Sequence, residues 1–313
     1  MTVRELLEFR ARIRRSLAAL LDARGFVEVD TPVLGAEVVP EAHIEPIAAR
    51  VGADVRYLQA SPELLMKRLL ALGSGSIYQF ARSFRGGERG PRHDIEFVLL
   101  EWYEPGGTVA GTADLLARIG ADVLGSEGIE RLDCRDAFLA HAGVDPFTAS
   151  AADFEAAIDR LGIARPEGPS SAEERWDRGF ELLLAEAVQP NLGQRRPVLL
   201  ERWPASQGAL ARLDPDEPDV AERFEWFVAG VELANGWVEE TGREALVARL
   251  EAANRSRRLD GREPLPLPAR LLAAHGPTMP GGVGVAIGFD RLVMLAAAAD
   301  SIDAIRPFSS STA

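Results

Sequence analysis

Three groups of residues in this 313-residue chain have types and spacings that could do chemistry. In the first, Val283, Val285, Ile287 and Phe289 alternate with Gly284, Ala286 and Gly288, ahead of Asp290-Arg291 and the helical run LVMLAAAA. A period of two puts the branched residues on one face of a strand and the tiny ones on the other. The branched face can enter a core, while the bare face lets a flat group such as a purine or a ribose lie against the backbone. Arg291, at the start of the following helix, is placed to meet a phosphate or stack on a base. The same pattern also suits a glycine-lightened strand packed beneath a helix.

The second group begins at Arg85, passes through the loop 86–92 and continues into His93-Asp94-Ile95-Glu96-Phe97-Val98-Leu99-Leu100-Glu101-Trp102-Tyr103. Arg85 is expected to emerge at a strand end. Arg89, Arg92 and His93 offer mobile positive charge for a triphosphate, and Glu101 and Tyr103, two apart on a strand, point to one face. A charge in an otherwise apolar strand demands a partner, although a solvated hairpin tip carries similar residues. The third group is VELANGWVE, 231–239. Seven residues of ideal strand would put Glu232 and Glu239 on opposite faces, but Asn235-Gly236 between them favours a bulge or turn that can bring them together. Two converging carboxylates hold Mg²⁺ between phosphates, or an ammonium; exposed acids at a hairpin turn are the other meaning of the pattern.

The elements that must position these groups are legible from periodicity. Leu6, Phe9, Ile13, Leu17, Leu20 and Leu21 recur at helical spacing over 5–24, with Gly25 where a C-cap is expected. The segment 26–32 alternates as a strand stopped by Pro32. Ser61-Pro62-Glu63 opens a second helix, with Pro62 at its first position and Gly73 at its end. Residues 77–103 read as a long antiparallel hairpin around the glycine-containing loop. Helices are expected over 108–125, 151–161, 172–188 and 242–258, and extended chain over 197–203 and 223–238. The proline- and glutamate-rich stretches 166–174 and 214–219 are expected to be surface loops. Antiparallel strands interspersed with helices, without repeats or a long linker, predict one α+β domain spanning 1–313.

Composition bounds the function. The single cysteine, Cys134, excludes a disulfide framework or a zinc cluster from one chain and suits a core position in a cytosolic protein. No apolar run approaches the roughly 20 residues of a membrane span, and the charged first residues do not form a secretory signal, so a cytoplasmic location is expected. With 35 Lys and Arg against 48 Asp and Glu, the net charge of −13 disfavours extensive binding of a polyanion.

Taken in order, the three groups resemble the motifs of class II aminoacyl-tRNA synthetases. VEVDTP resembles motif 1, the dimer-interface element; FRGGERGPRHDIEFVLLEWY resembles motif 2 and GVGVAIGFDRLVML motif 3. SPELLMKRLL, EFVLLEWY and ELANGWVEE are similar to the lysine-specific branch, but the first helix runs almost at once into motif 1, where lysyl-tRNA synthetases carry an anticodon-binding barrel. PASQGALARL is closer to the elongation factor P lysine ligase family, whose members attach (R)-β-lysine to a lysine of that translation factor.

The resemblance implies a class II synthetase-type antiparallel β-sheet flanked by helices, ATP with Mg²⁺, an aminoacyl-adenylate of lysine or β-lysine, elongation factor P as acceptor and a homodimer. It implies catalytic roles for Arg85 on the α-phosphate, Arg291 on the γ-phosphate and Glu239. The nucleotide set adds Gly87, His93, Asp94, Glu232, Leu233 and Gly288; Glu232 and Glu239 are the metal positions. Ser61, Glu63, Tyr103, Asn235, Glu239 and Ala286 form the amino-acid set, with Glu63, Glu101 and Glu239 as acidic partners for a desolvated ammonium. Ala286 stands where lysyl-tRNA synthetases usually have glycine.

Two departures cluster in the motif 2 loop. The family usually reads Arg-Asn-Glu where this chain has Arg85-Gly86-Gly87, and His-Asn-Pro-Glu-Phe where it has His93-Asp94-Ile95-Glu96-Phe97. Gly87 lacks a side chain expected near the nucleotide, for which Glu88 could substitute, and Asp94 puts a negative charge beside phosphates unless Arg89, Arg92 or metal compensates. The rival readings are a truncated lysyl-tRNA synthetase or other amino-acid ligase, and a catalytically silent paralogue that binds an amino acid.

Overall fold

The computed structural model describes residues 1–165 and 171–313. In chain order the elements are α1 (Val3–Ala23), β1 (Val27–Glu28), β2 (Leu34–Gly35), β3 (Ala48–Val51), β4 (Asp54–Leu58), α2 (Glu63–Ala71), β5 (Ile77–Phe84), β6 (Glu96–Pro105) and α3 (Val109–Leu124). They continue with β7 (Glu130–Asp133), α4 (Cys134–His141), α5 (Ala151–Leu161), α6 (Ala172–Leu183), β8 (Val198–Pro204), β9 (Val220–Val228) and β10 (Val231–Val238). The last are α7 (Arg243–Leu259), α8 (Ala269–Ala274), β11 (Gly282–Gly288) and α9 (Phe289–Ala296). The chain is described as two compact units, the first comprising 1–108, 122–124 and 239–313, the second 109–121 and 125–238.

In the first unit the strand order is β1-β5-β6-β11, with β1 parallel to β5 and the other pairs antiparallel. A smaller sheet, β2-β4-β3, stands beside it in sequence. Helix α1 starts on a capping box between Thr2 and Glu5 and stops at Gly25, whose φ of 86° closes the last turn at no steric cost. Helix α2 ends the same way at Gly73, while Pro62 precedes its first residue instead of occupying it. The strand expected over 26–32 shrinks to the two residues of β1, because only these pair with β5. Met66, Leu70, Ile77, Tyr103 and Met279 form one core cluster under this sheet.

In the second unit the order is β10-β9-β8-β7, antiparallel except for β7 with β8. Its core gathers Phe138, Phe154, Phe180, Trp203 and Phe227, and holds Cys134 fully buried. The helix expected over 172–188 changes character after Leu183, where a π-helical turn spans Leu184–Val188. The extended stretch 223–238 is a hairpin, β9 and β10, turning at Ala229-Gly230 with both φ angles positive. Residues 214–219 form a loop as expected; of the other expected loop, 166–170 lie outside the described residues and Ser171 to Glu174 cap and begin α6. Among the described residues no helix is long and apolar enough to cross a membrane.

Candidate active site

The alternation of β11 does what its composition dictates. Val283, Val285 and Ile287 are buried on one face, and Gly284 and Ala286 lie directly across from Tyr103 and Glu101 of β6. Directly paired residues share a sheet face, so the small residues make a floor on which Glu101 and Tyr103 stand. A Cβ at Gly284 would collide with the carboxylate of Glu239 and the ring of Tyr103. Glycine there is a requirement of the site. At Gly288 a Cβ would meet only the Arg291 side chain, at 3.5 Å, so that position stays open.

Around this floor lies a buried cluster of acids. Ser61 Oγ donates to Glu101 Oε2 at 2.7 Å and Tyr103 OH donates to Glu101 Oε1 at 2.5 Å. Ser61 Oγ also accepts from the Glu63 amide at 3.0 Å, which fixes the start of α2. Lys67, one turn along α2, places Nζ 2.6 Å from Glu63 and 2.7 Å from Glu239. Burial pulls the lysine pKa down, but the Glu239 and Glu63 charges outweigh it and hold the ammonium charged. Burial pushes the Glu101 carboxyl up to about 8, with Glu63 adding to the effect against the hydrogen bonds from Tyr103 and Ser61 and the charge of Lys67. The Tyr103 hydroxyl is likewise raised, by burial and then by the Glu101 charge. Glu63 and Glu239 already outnumber the single Lys67, and Glu101 adds a third acceptor when it releases its proton, so the cluster holds a surplus of acceptor charge that an incoming ammonium would satisfy.

Lys67 was not among the residues singled out from sequence. Its i, i+4 spacing from Glu63 on a helix was the available signal. Glu41 was missed too: burial raises its carboxyl to about 7 even though the Arg85 charge lowers it. A cavity of about 290 Å³ opens at Ser61 and Glu63 and is also lined by Glu41, Gln59, Arg68 and Arg270.

The arginines sit as expected at the ends of elements. Arg85 follows β5; its amide donates to Ile95 O at 3.0 Å, its guanidinium lies 5.1 Å from the Phe97 ring centroid, and its Nε is buried without a hydrogen-bond partner among the described residues. Glu88 is 3.9 Å from Arg85 Nη1, and Gly87, at φ 80°, turns the loop. Arg291, in the first turn of α9, donates from Nε to Arg92 O at 3.1 Å and places Nη2 2.6 Å from His93 Nε2. Asp290 anchors that turn by accepting from Arg10 at 2.7 Å and from the Val98 amide at 2.9 Å.

Two expectations are corrected here. Arg89 is not mobile positive charge: it pairs with Asp303 at 2.8 Å and with Asp94 at 3.3 Å. Asp94 is not an open negative charge in the loop, because its carboxylate is buried and paired with Arg306 at 3.0 Å.

In the second unit, Glu232, Leu233 and Asn235 lie on β10. The Asn-Gly pair makes neither turn nor bulge; Asn235 and Gly236 pair in regular register with Glu225 and Phe224. The irregularity falls one step earlier, between Glu232 and Ala234, so Leu233 is the extra residue. That bulge returns Glu232 to the face that carries Asn235 and Trp237, since their partners Phe227, Glu225 and Arg223 alternate along β9. Arg223, another residue not foreseen, lies over the Trp203 ring at 4.3 Å, pairs with Glu225 at 2.5 Å and donates to Asn235 Oδ1 at 3.3 Å.

A small-residue floor, a buried acidic cluster and helix-end arginines on a largely antiparallel sheet flanked by helices are the parts of a class II synthetase catalytic fold. Comparison with known families agrees: the family described as tRNA synthetases class II (D, K and N) matches residues 1–312, and the chain belongs to it. Among individual proteins, it is similar to the elongation factor P–(R)-β-lysine ligase of Edwardsiella ictaluri, with 39% identity covering 96% of this chain and 93% of the relative. The proteins of that name from Yersinia enterocolitica and Pectobacterium atrosepticum are 37% and 36% identical, each over the same shares.

Proposed function

We propose that the chain is an ATP-dependent ligase that activates (R)-β-lysine or lysine as an aminoacyl-adenylate and transfers it to a lysine side chain of elongation factor P. The observation that carries this reading is the buried cluster of Glu63, Glu101 and Glu239, whose negative charge exceeds the single Lys67 charge within it. A desolvated carboxylate cluster is costly unless cations complete it, and an amino acid bearing a second ammonium supplies what a neutral one lacks. The similarity to the three ligases names the same substrate and acceptor.

In the first step a carboxylate oxygen of the amino acid attacks the α-phosphorus of ATP in line, the bond to the bridging oxygen breaks, and pyrophosphate leaves. Arg85 is assigned to the α-phosphate and Arg291 to the γ-phosphate, as fixed positive charge where negative charge builds. In the second step the amine of the acceptor lysine attacks the carbonyl carbon, AMP leaves, and the surplus proton passes to solvent. Ser61, Glu63, Tyr103, Glu239 and Ala286, with Asn235 from β10, are assigned to the amino acid; Gly87, His93, Leu233 and Gly288 are assigned to the nucleotide, while the enclosed Asp94 is not a nucleotide contact.

Mg²⁺ fits the donor set in one way. No group of three or more His, Cys, Asp or Glu side chains able to hold a metal occurs among the described residues, whereas Mg²⁺ commonly rests on one or two carboxylates plus substrate phosphates. Glu232 and Glu239 are the carboxylates assigned to it, where it would neutralise phosphate charge. On this reading residues 1–313 are a class II synthetase-like catalytic domain and the reaction belongs to the cytoplasm. A two-fold homodimer is supported by the resemblance of VEVDTP to motif 1, and light scattering that finds a monomer at working concentration removes it.

ATP–pyrophosphate exchange by the purified chain without tRNA, with (R)-β-lysine, L-lysine and a panel of other amino acids, tests the reading. Exchange confined to a lysine isomer, followed by mass gain on elongation factor P, is the expected result. No exchange with any amino acid from the folded protein leaves a silent amino-acid-binding paralogue in its place, and efficient charging of bulk tRNA leaves a synthetase.

A further inference from the structure

Asp94 is the most heavily bonded carboxylate of the loop that follows Arg85, and its partners come from far along the chain. Its Oδ2 accepts from Arg306 Nη1 at 3.0 Å and from the Ser310 amide at 3.0 Å. Its Oδ1 accepts from the Ile95 amide at 2.9 Å and from the Ser310 hydroxyl, and Arg89 Nη1 approaches to 3.3 Å. The carboxylate is fully enclosed and the Arg306 side chain is 11% exposed. Burial alone would raise this carboxyl, but the hydrogen bonds from Ser310 and Ile95 and the charge of Arg306 hold it below the ordinary value.

Further bonds join the same two stretches of chain. Ile302 N donates to Pro91 O at 2.8 Å, and Arg89 Nη2 reaches both Asp303 at 2.8 Å and Ser311 Oγ at 3.0 Å. Asp94 also stands between the two residues through which the loop touches the arginines assigned to ATP. On one side His93 Nε2 lies 2.6 Å from Arg291; on the other Ile95 O accepts from the amide of Arg85. A shift of Asp94 therefore moves both contacts together.

We propose that the segment 302–312 is a strap that sets the position of the nucleotide loop, with Asp94 and Arg306 as positioning residues for ATP. The inference rests on ATP use and not on which amino acid is activated. A charged pair enclosed this completely loses its compensation when either partner is removed, so the loop is released as a unit. The strap also gives Asp94 a task other than contact with phosphate, which reconciles a negative residue in this loop with binding of a polyanion.

The test is calorimetric titration with ATP and hydrogen exchange of peptides covering 86–95, on the full chain and on Asp94→Asn, Arg306→Ala and the double variant. Each single change is expected to weaken ATP by about tenfold, the double no more than the worse single, with faster exchange confined to the loop and strap. The Kd of the amino acid stays within the error of the parent, which a general loss of structure would not allow. Ser310→Ala, which removes one hydroxyl and leaves the ion pair, serves if Arg306→Ala does not fold, and is expected to move both readouts in the same direction by less. Folded Asp94→Asn with parental ATP affinity and parental loop exchange overturns the proposal. If the parent binds no ATP, the ATP reading itself falls, and exchange then decides the strap: acceleration confined to the loop supports it and unchanged exchange removes it.

Discussion

The ammonium of Lys67 lies 2.7 Å from the carboxylate of Glu239, two residues that no local pattern of the sequence connects. Helix α2 brings the lysine and the chain leaving β10 brings the glutamate, and Glu63 completes the bridge from one turn before the lysine. Truncation to Lys67→Met would strand two buried carboxylates, and a cost of about 3–5 kcal/mol is expected from the loss of one partner in a buried pair. Denaturant unfolding measures it; a loss below about 1 kcal/mol, the scale of an exposed pair, would show that the bridge is solvated.

Gly284→Ala tests the floor of the site. Its methyl collides with Glu239 and Tyr103, both held by other contacts, so the expected cost is about 1–3 kcal/mol of overpacking together with a raised KM for the amino acid. The KM for ATP should hold. Equal changes in the two KM values would mean that the strand as a whole has moved.

Ala286→Gly acts at the position across from Glu101. Removing the methyl is expected to shift the ratio of kcat/KM for (R)-β-lysine over L-lysine by one to two orders of magnitude, the worth of roughly 1 to 3 kcal/mol of pocket contact. Both substrates measured on the variant decide it, and an unchanged ratio would place discrimination elsewhere.

The pH dependence follows from Glu101, which burial, then the Glu63 charge, raises from 4.5 to about 8. Between those values the folded chain holds a proton that the unfolded chain has released, so this group's contribution to stability falls as pH rises across that window. The groups facing it are Glu63, Tyr103 and Lys67. An ammonium bound beside Glu101 favours the carboxylate, so binding at pH 7 should expel a proton and tighten as pH climbs toward 8. Calorimetry in buffers of different ionisation heat reads this directly; a binding heat independent of buffer would falsify it.

Much of the chemistry was legible because it is written in short-range pattern. A period of two is enough to put Val283, Val285 and Ile287 on one face and Gly284 and Ala286 on the other, since alternation is a property of any extended chain, but that Glu239 and Tyr103 cover Gly284 is not a matter of alternation. Gly25 and Gly73 end helices because a left-handed residue is needed there, and α5 occupies its expected residues, 151–161. On the same grounds Arg85 could be assigned to a strand end, Arg291 to a helix start, and Glu101 and Tyr103 to one strand face.

The contacts that give those residues their character come from elsewhere in the chain, and only packing selects among them. Asn235-Gly236 has the composition of a turn, yet pairing with β9 holds it extended and moves the bulge to Leu233, because register across a buried strand outweighs local preference. Asp94 reads as a charge in a phosphate loop until Arg306 and Ser310 enclose it. The sequence by itself determined the elements, the motifs and the kinds of charge available. Tertiary structure alone decided which charges meet, because a buried ion pair depends on desolvation and geometry between segments that share no local pattern.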